Sequence, residues 1–164
     1  MPILSGIRAY YSPDPNDSRR MAHEIEKKET TLLCMAPSFY KNLFKVATKE
    51  QLKSGRWFIS GAEKATDDLF EYVKRLGKDK RIVEGYGITE CSPIVTVCHP
   101  DRPPIGVGQP IHNIEICSIH PETHERLSQG EMGEICIHGP NVFAGYLGKK
   151  SRSEERRVGK ECRL

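Results

Sequence analysis

Arg81-Ile82-Val83-Glu84-Gly85-Tyr86-Gly87-Ile88-Thr89-Glu90 runs from a short apolar strand candidate, Arg81 to Val83, straight into a loop opened by two glycines. A well-punctuated helix candidate precedes it. Thr66 stands at its N-cap, Asp67 and Asp68 in the first turn, Leu69, Phe70, Val73 and Leu76 facing inward, Lys74 and Arg75 near the end, and Gly77 as stop. A helix feeding a buried strand that ends in such a loop is the repeating unit of an α/β layer, whose ligands bind outside the carboxyl ends of the strands.

Working outward, residues 7 to 84 read as alternating strands and helices with short Pro-, Gly- or Asp-bearing connections. The strand candidates are Ile7 to Tyr11, Thr31 to Met35, Arg56 to Ser60 and Arg81 to Val83. Thr31-Leu32-Leu33-Cys34-Met35 is apolar without alternation, as expected where helices cover both faces of a parallel sheet. Asp17 caps a helix running to about Lys28, and Phe39, Leu43, Val46 and Ala47 mark one stripe on the next helix. The expected fold is therefore α/β, part of a doubly wound, largely parallel sheet.

After Pro93 the pattern changes. Ile94 to Val97, Ile114 to Ile119 and Glu134 to His138 read as strands separated by turns. The isoleucines at 114, 116, 135 and 137 alternate with other residues, which predicts antiparallel pairing with one drier face. A smaller antiparallel β region is placed from about Pro104. The expected organisation is residues 1–103 as a partial α/β subdomain, 104–150 as a partial β-rich one, and 151–164 as a tail.

The 164 residues carry a formal charge of +3 and are 37% hydrophobic and 29% charged, within the range of an ordinary globular domain. The tail, residues 151–164, has five Lys/Arg and three Asp/Glu, so it accounts for +2 and leaves +1 for residues 1–150. That near-neutral body gives no electrostatic case for nucleic acid. Arg152 to Cys162 resembles the in-frame translation of a short sequencing adapter, and the tail is set aside from fold reasoning as non-native. No run approaches membrane-spanning length. Of the six cysteines, the five outside the tail are scattered through apolar segments and suit reduced thiols, and with no signal peptide indicated the expected location is cytoplasmic.

Two loops carry the residue types for chemistry: Ser60-Gly61-Ala62-Glu63, and Gly85 to Glu90. In the second, Gly85 and Gly87 let the backbone approach a flat ring, Tyr86 offers a face to adenine, Thr89 a hydroxyl to a phosphate oxygen, and Glu90 a hard carboxylate to Mg²⁺. Cys91 reads as a small lining residue. Gly106-Val107-Gly108-Gln109-Pro110 is glycine-rich but lacks a following Lys-Ser or Lys-Thr, so it reads as a turn. Cys117, His120 and His124 have ligand-like spacing, yet they fall on a strand and in a turn with no Cys-x-x-Cys in the chain, which argues against structural zinc. His23, His99 and His112 read as surface or loop histidines.

Tyr86-Gly87-Ile88-Thr89-Glu90 resembles the Tyr-Gly-x-Thr-Glu motif of the adenylate-forming, AMP-binding enzymes, the superfamily of acyl-CoA synthetases, acyl-carrier-protein ligases and luciferases. Gly61-Ala62-Glu63 stands where that family has a Gly-Ala-Pro loop, with Glu63 in place of proline, so only its backbone contacts carry over. Gly133 to Pro140, followed by Gly145-Tyr146-Leu147-Gly148, resembles a third family segment, there more structural than catalytic. The resemblance implies that Thr89 and Glu90 serve the α-phosphate and magnesium. It also implies that Gly61, Ala62, Glu63, Gly85, Tyr86 and Gly87 flank adenine.

Within the superfamily, Thr89 to Pro93 and Pro140 to Leu147 look most like bacterial fatty-acid ligases. The implied reaction uses ATP and Mg²⁺ to activate a carboxylate as acyl-AMP, then passes the acyl group to CoA or to the phosphopantetheine of an acyl carrier protein. The family's upstream phosphate loop, its downstream Thr-Gly-Asp segment and its C-terminal lysine domain are not found in the 164 residues. A ligase fragment, inactive alone, is therefore the first expectation. A non-catalytic module that binds adenine nucleotide and a purely structural α/β fragment are the alternatives.

Overall fold

The computed structural model describes residues 4–101 and 106–147. The boundary at Pro104, Gly148 and the tail at 151–164 lie outside the described residues. In chain order the elements are α1 (Ser18–Lys28), β1 (Leu32–Met35), α2 (Pro37–Val46), β2 (Trp57–Ser60), α3 (Asp67–Leu76), β3 (Arg81–Gly87), β4 (Ile94–Val97), β5 (Gln109–Pro110), β6 (Glu115–Ile119) and β7 (Glu134–His138). Hydrogen bonding orders the first five strands β1-β2-β3-β4-β5 in one sheet and pairs β6 with β7 in another. Helices connect β1 to β2 and β2 to β3, the crossover that parallel neighbours need. The α/β class and the small antiparallel sheet are as expected.

The chain forms two compact units, Met1–Phe58 with Glu63–Arg81 and Ile59–Ala62 with Ile82–Leu164. In the first unit, the Asp17 carboxylate accepts from the Arg20 amide at 3.0 Å and starts α1. The helix ends at Glu29, which adopts a left-handed φ of 49°, and the Thr30 amide donates back to the Ile25 carbonyl at 3.0 Å.

Of the stripe expected on α2, Leu43 is fully buried and Phe39 and Ala47 are half-buried, but Val46 is exposed and Tyr40, outside that stripe, is fully buried. Aromatic packing sets the rotation. Phe44 stacks on Tyr72 with ring centroids 4.1 Å apart, Tyr40 lies 5.9 Å from Phe58, and the Tyr40 hydroxyl donates to the Leu33 carbonyl at 2.8 Å. Aromatic side chains bury far more area than one valine, so the helix turns toward them. Ile7 to Tyr11 likewise forms no strand, and Ile7, Tyr10 and Tyr11 are exposed. Strand propensity is expressed only against a neighbour that packs and bonds, and among the described residues this segment pairs with none.

In the second unit β3 and β4 are antiparallel, with Gly85 opposite Val97, Tyr86 opposite Thr96, and a bulge between Tyr86 and Gly87. β5 continues antiparallel on β4. The β6–β7 ladder sets Ile116 against Ile137 and Cys117 against Cys136. Ile116 and Ile137 pack against a core of Cys91, Val95 and Ile114, together with Tyr86, Ile88 and Ile111. That is the drier face expected from the alternation.

Candidate functional site

The loop after β3 is shaped by a glycine that accepts no substitute. A Cβ on Gly87 would stand 1.7 Å from the Pro93 carbonyl oxygen, so the loop can fold back on itself only where no side chain exists. The return is a single 3₁₀ turn, Thr89–Cys91, in which the Cys91 amide donates to the Ile88 carbonyl at 2.9 Å. Ser92 closes it with a left-handed φ of 54° and donates to the Thr89 carbonyl at 3.2 Å. Thr89 is exposed and Glu90 half-buried. Tyr86 and Ile88 lean on the core cluster, which anchors the loop without burying it.

Gly61 approaches this loop. A Cβ built there would lie 3.4 Å from the Gly85 carbonyl oxygen, so the two backbones meet as the order of β2 and β3 predicts. Ala62 follows with a left-handed φ of 68°, a conformation alanine rarely adopts.

Glu63 has a different occupation. Its carboxylate accepts from the Ser38 hydroxyl at 2.9 Å and from the Ser38 amide at 3.3 Å. Ser38 is the second residue of α2, whose own N-cap, Ala36, supplies no side-chain bond, so Glu63 caps the helix from outside.

Three residues that sequence reasoning treated as structural hold the turn. The Tyr146 hydroxyl donates to Oε1 of Glu90. The Phe143 amide donates to the Glu90 carbonyl at 2.9 Å, and the Phe143 ring meets Tyr146 edge-on with centroids 4.9 Å apart. Asn141 Nδ2 donates to the Cys91 carbonyl at 2.6 Å and to the Ile94 carbonyl at 2.9 Å. Their pairing with residues 90 to 94 spans about fifty positions, which no local pattern reveals.

The thiol of Cys91 is buried, and burial first, then the nearby Glu90 charge, pushes its pKa above the ordinary value. A thiol held protonated this way is a poor nucleophile. Gly106 to Pro110 forms a turn leading into β5, with the Thr96 hydroxyl donating to the Val107 carbonyl at 2.5 Å. His120 Nδ1 accepts from the amides of Glu122 and Thr123, both at 3.2 Å, and so stabilises its own turn. Among the described residues no three His, Cys, Asp or Glu gather as a metal cluster.

Fold and loop define an α/β chain with a glycine-opened, acid-bearing turn at the carboxyl end of a sheet strand. The chain belongs to the AMP-binding enzyme family, whose profile matches residues 1–147. It is 31% identical over 162 residues to tyrocidine synthase 3 of Brevibacillus parabrevis, covering 96% of this chain and 2% of that protein. It is 38% identical over 112 residues to a probable 4-coumarate–CoA ligase 2 of Dictyostelium discoideum, covering 67% of this chain and 20% of that one. In structure it resembles a long-chain-fatty-acid–CoA ligase from Archaeoglobus fulgidus, with a TM-score of 0.72, 28% identity, and coverage of 85% of this chain and 30% of that one. The chain thus spans under a third of each relative.

Proposed function

We propose that this chain is the nucleotide-binding segment of an ATP-dependent ligase that activates a carboxylate as acyl-AMP and transfers the acyl group to a thiol. The observation that carries the reading is the meeting of Gly61 with Gly85 beside a turn that presents Thr89 and a braced Glu90. Family membership and relatives that include CoA ligases support it. We assign residues 1–103 to the α/β part, 104–150 to the β-rich part, and 151–164 to a non-native tail. The setting proposed is cytoplasmic.

In this reading Gly61, Ala62, Glu63, Gly85, Tyr86 and Gly87 line the adenine side, with Glu63 contributing backbone only because its carboxylate caps α2. Tyr86 stacks on the base, and Thr89 donates its hydroxyl to the α-phosphate. Glu90, a half-buried carboxylate on a hydrogen-bonded turn, suits Mg²⁺, which is commonly held by one or two carboxylates plus substrate phosphates. When bound, the ion neutralises phosphate charge. A carboxylate oxygen of the substrate attacks the α-phosphorus, the bond to the β-phosphate oxygen breaks, and pyrophosphate leaves. A thiolate of CoA or of phosphopantetheine then attacks the acyl carbonyl and AMP departs. The protonated Cys91 takes no part.

A fatty acid is the substrate class we favour. The Thr89 to Pro93 and Pro140 to Leu147 segments resemble fatty-acid ligases, and the Archaeoglobus structure is described as one. Other carboxylates compete, 4-coumarate among them, because a tyrocidine synthase and a probable 4-coumarate–CoA ligase are also relatives.

The test is ATP–pyrophosphate exchange by the complete protein carrying this segment, with fatty acids, 4-coumarate and amino acids supplied in turn. Exchange with fatty acids, falling about 100-fold or more in Thr89→Ala and Glu90→Gln, is expected. Exchange with amino acids alone would overturn the substrate class. Nucleotide binding without exchange would favour a non-catalytic module.

A further inference from the structure

The segment 141–146 touches the nucleotide turn at three successive points, and each contact fixes a different degree of freedom. Asn141 ties the Cys91 and Ile94 carbonyls to one amide group, which sets the span of the turn. Phe143 holds the backbone of Glu90 through its carbonyl. Of these three residues, Tyr146 is the one whose bond reaches the Glu90 side chain, and its ring is in turn set by the edge contact with Phe143. A free glutamate side chain loses rotamer freedom when it is fixed. A carboxylate already held by a neighbouring hydroxyl would not incur that loss on meeting its ligand.

We propose that Tyr146 is a positioning residue whose hydroxyl holds the Glu90 carboxylate ready for the magnesium–nucleotide, so that the 141–146 segment acts as a brace for the site. The proposal rests on the reading of Glu90 given above. It differs from a purely structural role in what it predicts. Losing the hydroxyl weakens the coupling between cation and nucleotide and leaves the fold in place, because Tyr146→Phe keeps the ring against Phe143.

The experiment is equilibrium calorimetry of ATP binding by the complete protein across a range of Mg²⁺ concentrations, beside thermal melts. Tyr146→Phe is expected to raise the Mg²⁺ concentration for half-maximal binding about tenfold, the lower end of what loss of such an outer partner costs a metal site. Its affinity for ATP in EDTA should match the parent. Glu90→Gln should show an equal or larger rise, and adding Tyr146→Phe to it should change nothing more, since the two share one contact. Phe143→Leu, which retains the hydroxyl, should lower the melting temperature and shift the Mg²⁺ midpoint far less.

If Glu90→Gln shifts the midpoint and Tyr146→Phe does not, the positioning role is overturned while the reading of Glu90 survives. If Glu90→Gln itself leaves the midpoint unmoved, the reading of Glu90 falls and takes the proposal with it.

Discussion

Two segments of the second unit carry the same glycine signature, Gly85-Tyr86-Gly87 at the end of β3 and Gly106-Val107-Gly108 just before β5. In both, one glycine presses against backbone: Gly87 on the Pro93 carbonyl, and Gly108 on the Val97–Cys98 peptide, where a Cβ would come within 2.2 Å of the Val97 carbonyl carbon. They part at the next residues. The first runs into Thr89 and Glu90, whose carboxylate is braced by Tyr146, while the second runs into Gln109 and Pro110, which pair with β4. Glycine in such a turn reports how closely two stretches of backbone approach. What the turn is for depends on the polar groups that follow.

Gly87→Ala and Gly108→Ala should each destabilise the protein by about 3 kcal/mol, lowering the melting temperature by about 10 °C, because the clash is with backbone that cannot step aside. Calorimetric melts showing one of them silent would end the equivalence of the two turns. Next in size is Tyr86→Ala, expected to weaken ATP binding by about 1 to 3 kcal/mol through lost stacking, whereas Val107→Ala should leave the titration unchanged.

Thr96→Val removes a buried hydroxyl and its bond to the Val107 carbonyl, for a cost of about 1 kcal/mol read by urea unfolding, with no change in nucleotide affinity. Gly106→Ala should cost about as much as Thr96→Val, about 1 kcal/mol. Its φ of 56° is left-handed, but nothing lies within 4 Å of the added carbon. A melt showing Gly106→Ala as harmful as Gly108→Ala would mean that conformation, not contact, sets both penalties.

The elements most legible in the sequence are those whose cause is local. Asp17 starting α1, the acidic first turn of α3, and the glycines around Tyr86 each announce themselves within four residues. The buried face of α2 takes in Tyr40 and leaves out Val46 because its rotation depends on Phe58 and Tyr72, fourteen and twenty-eight positions from Phe44. Ile7 to Tyr11 has strand composition but no partner strand among the described residues. Thr66 stands at the expected cap, yet it makes no side-chain bond to the helix backbone; its hydroxyl instead favours the charged form of the nearby Asp68 carboxylate, lowering that acid's pKa.

At the candidate site, the residue types of the loop were readable, whereas its bracing by Asn141, Phe143 and Tyr146 was not. Glu63 shows the same limit from the other side. Its place in the Gly61-Ala62-Glu63 loop was plain, but its engagement with Ser38 depends on a helix that begins twenty-six residues earlier.

Asn141 also bears on the order in which the second unit assembles. Its bonds to Cys91 and Ile94 bridge 50 and 47 positions, whereas the β3–β4 hairpin closes over about ten. Closing the longer loop carries the larger entropic barrier, and contacts of high sequence separation form slowly. The hairpin is therefore expected to collapse first, with the turn bearing Thr89 and Glu90 set only when the chain around residue 141 docks. In refolding kinetics, Asn141→Ala should accelerate unfolding and leave the folding limb almost unmoved, which would place the candidate site among the last features of the fold to mature.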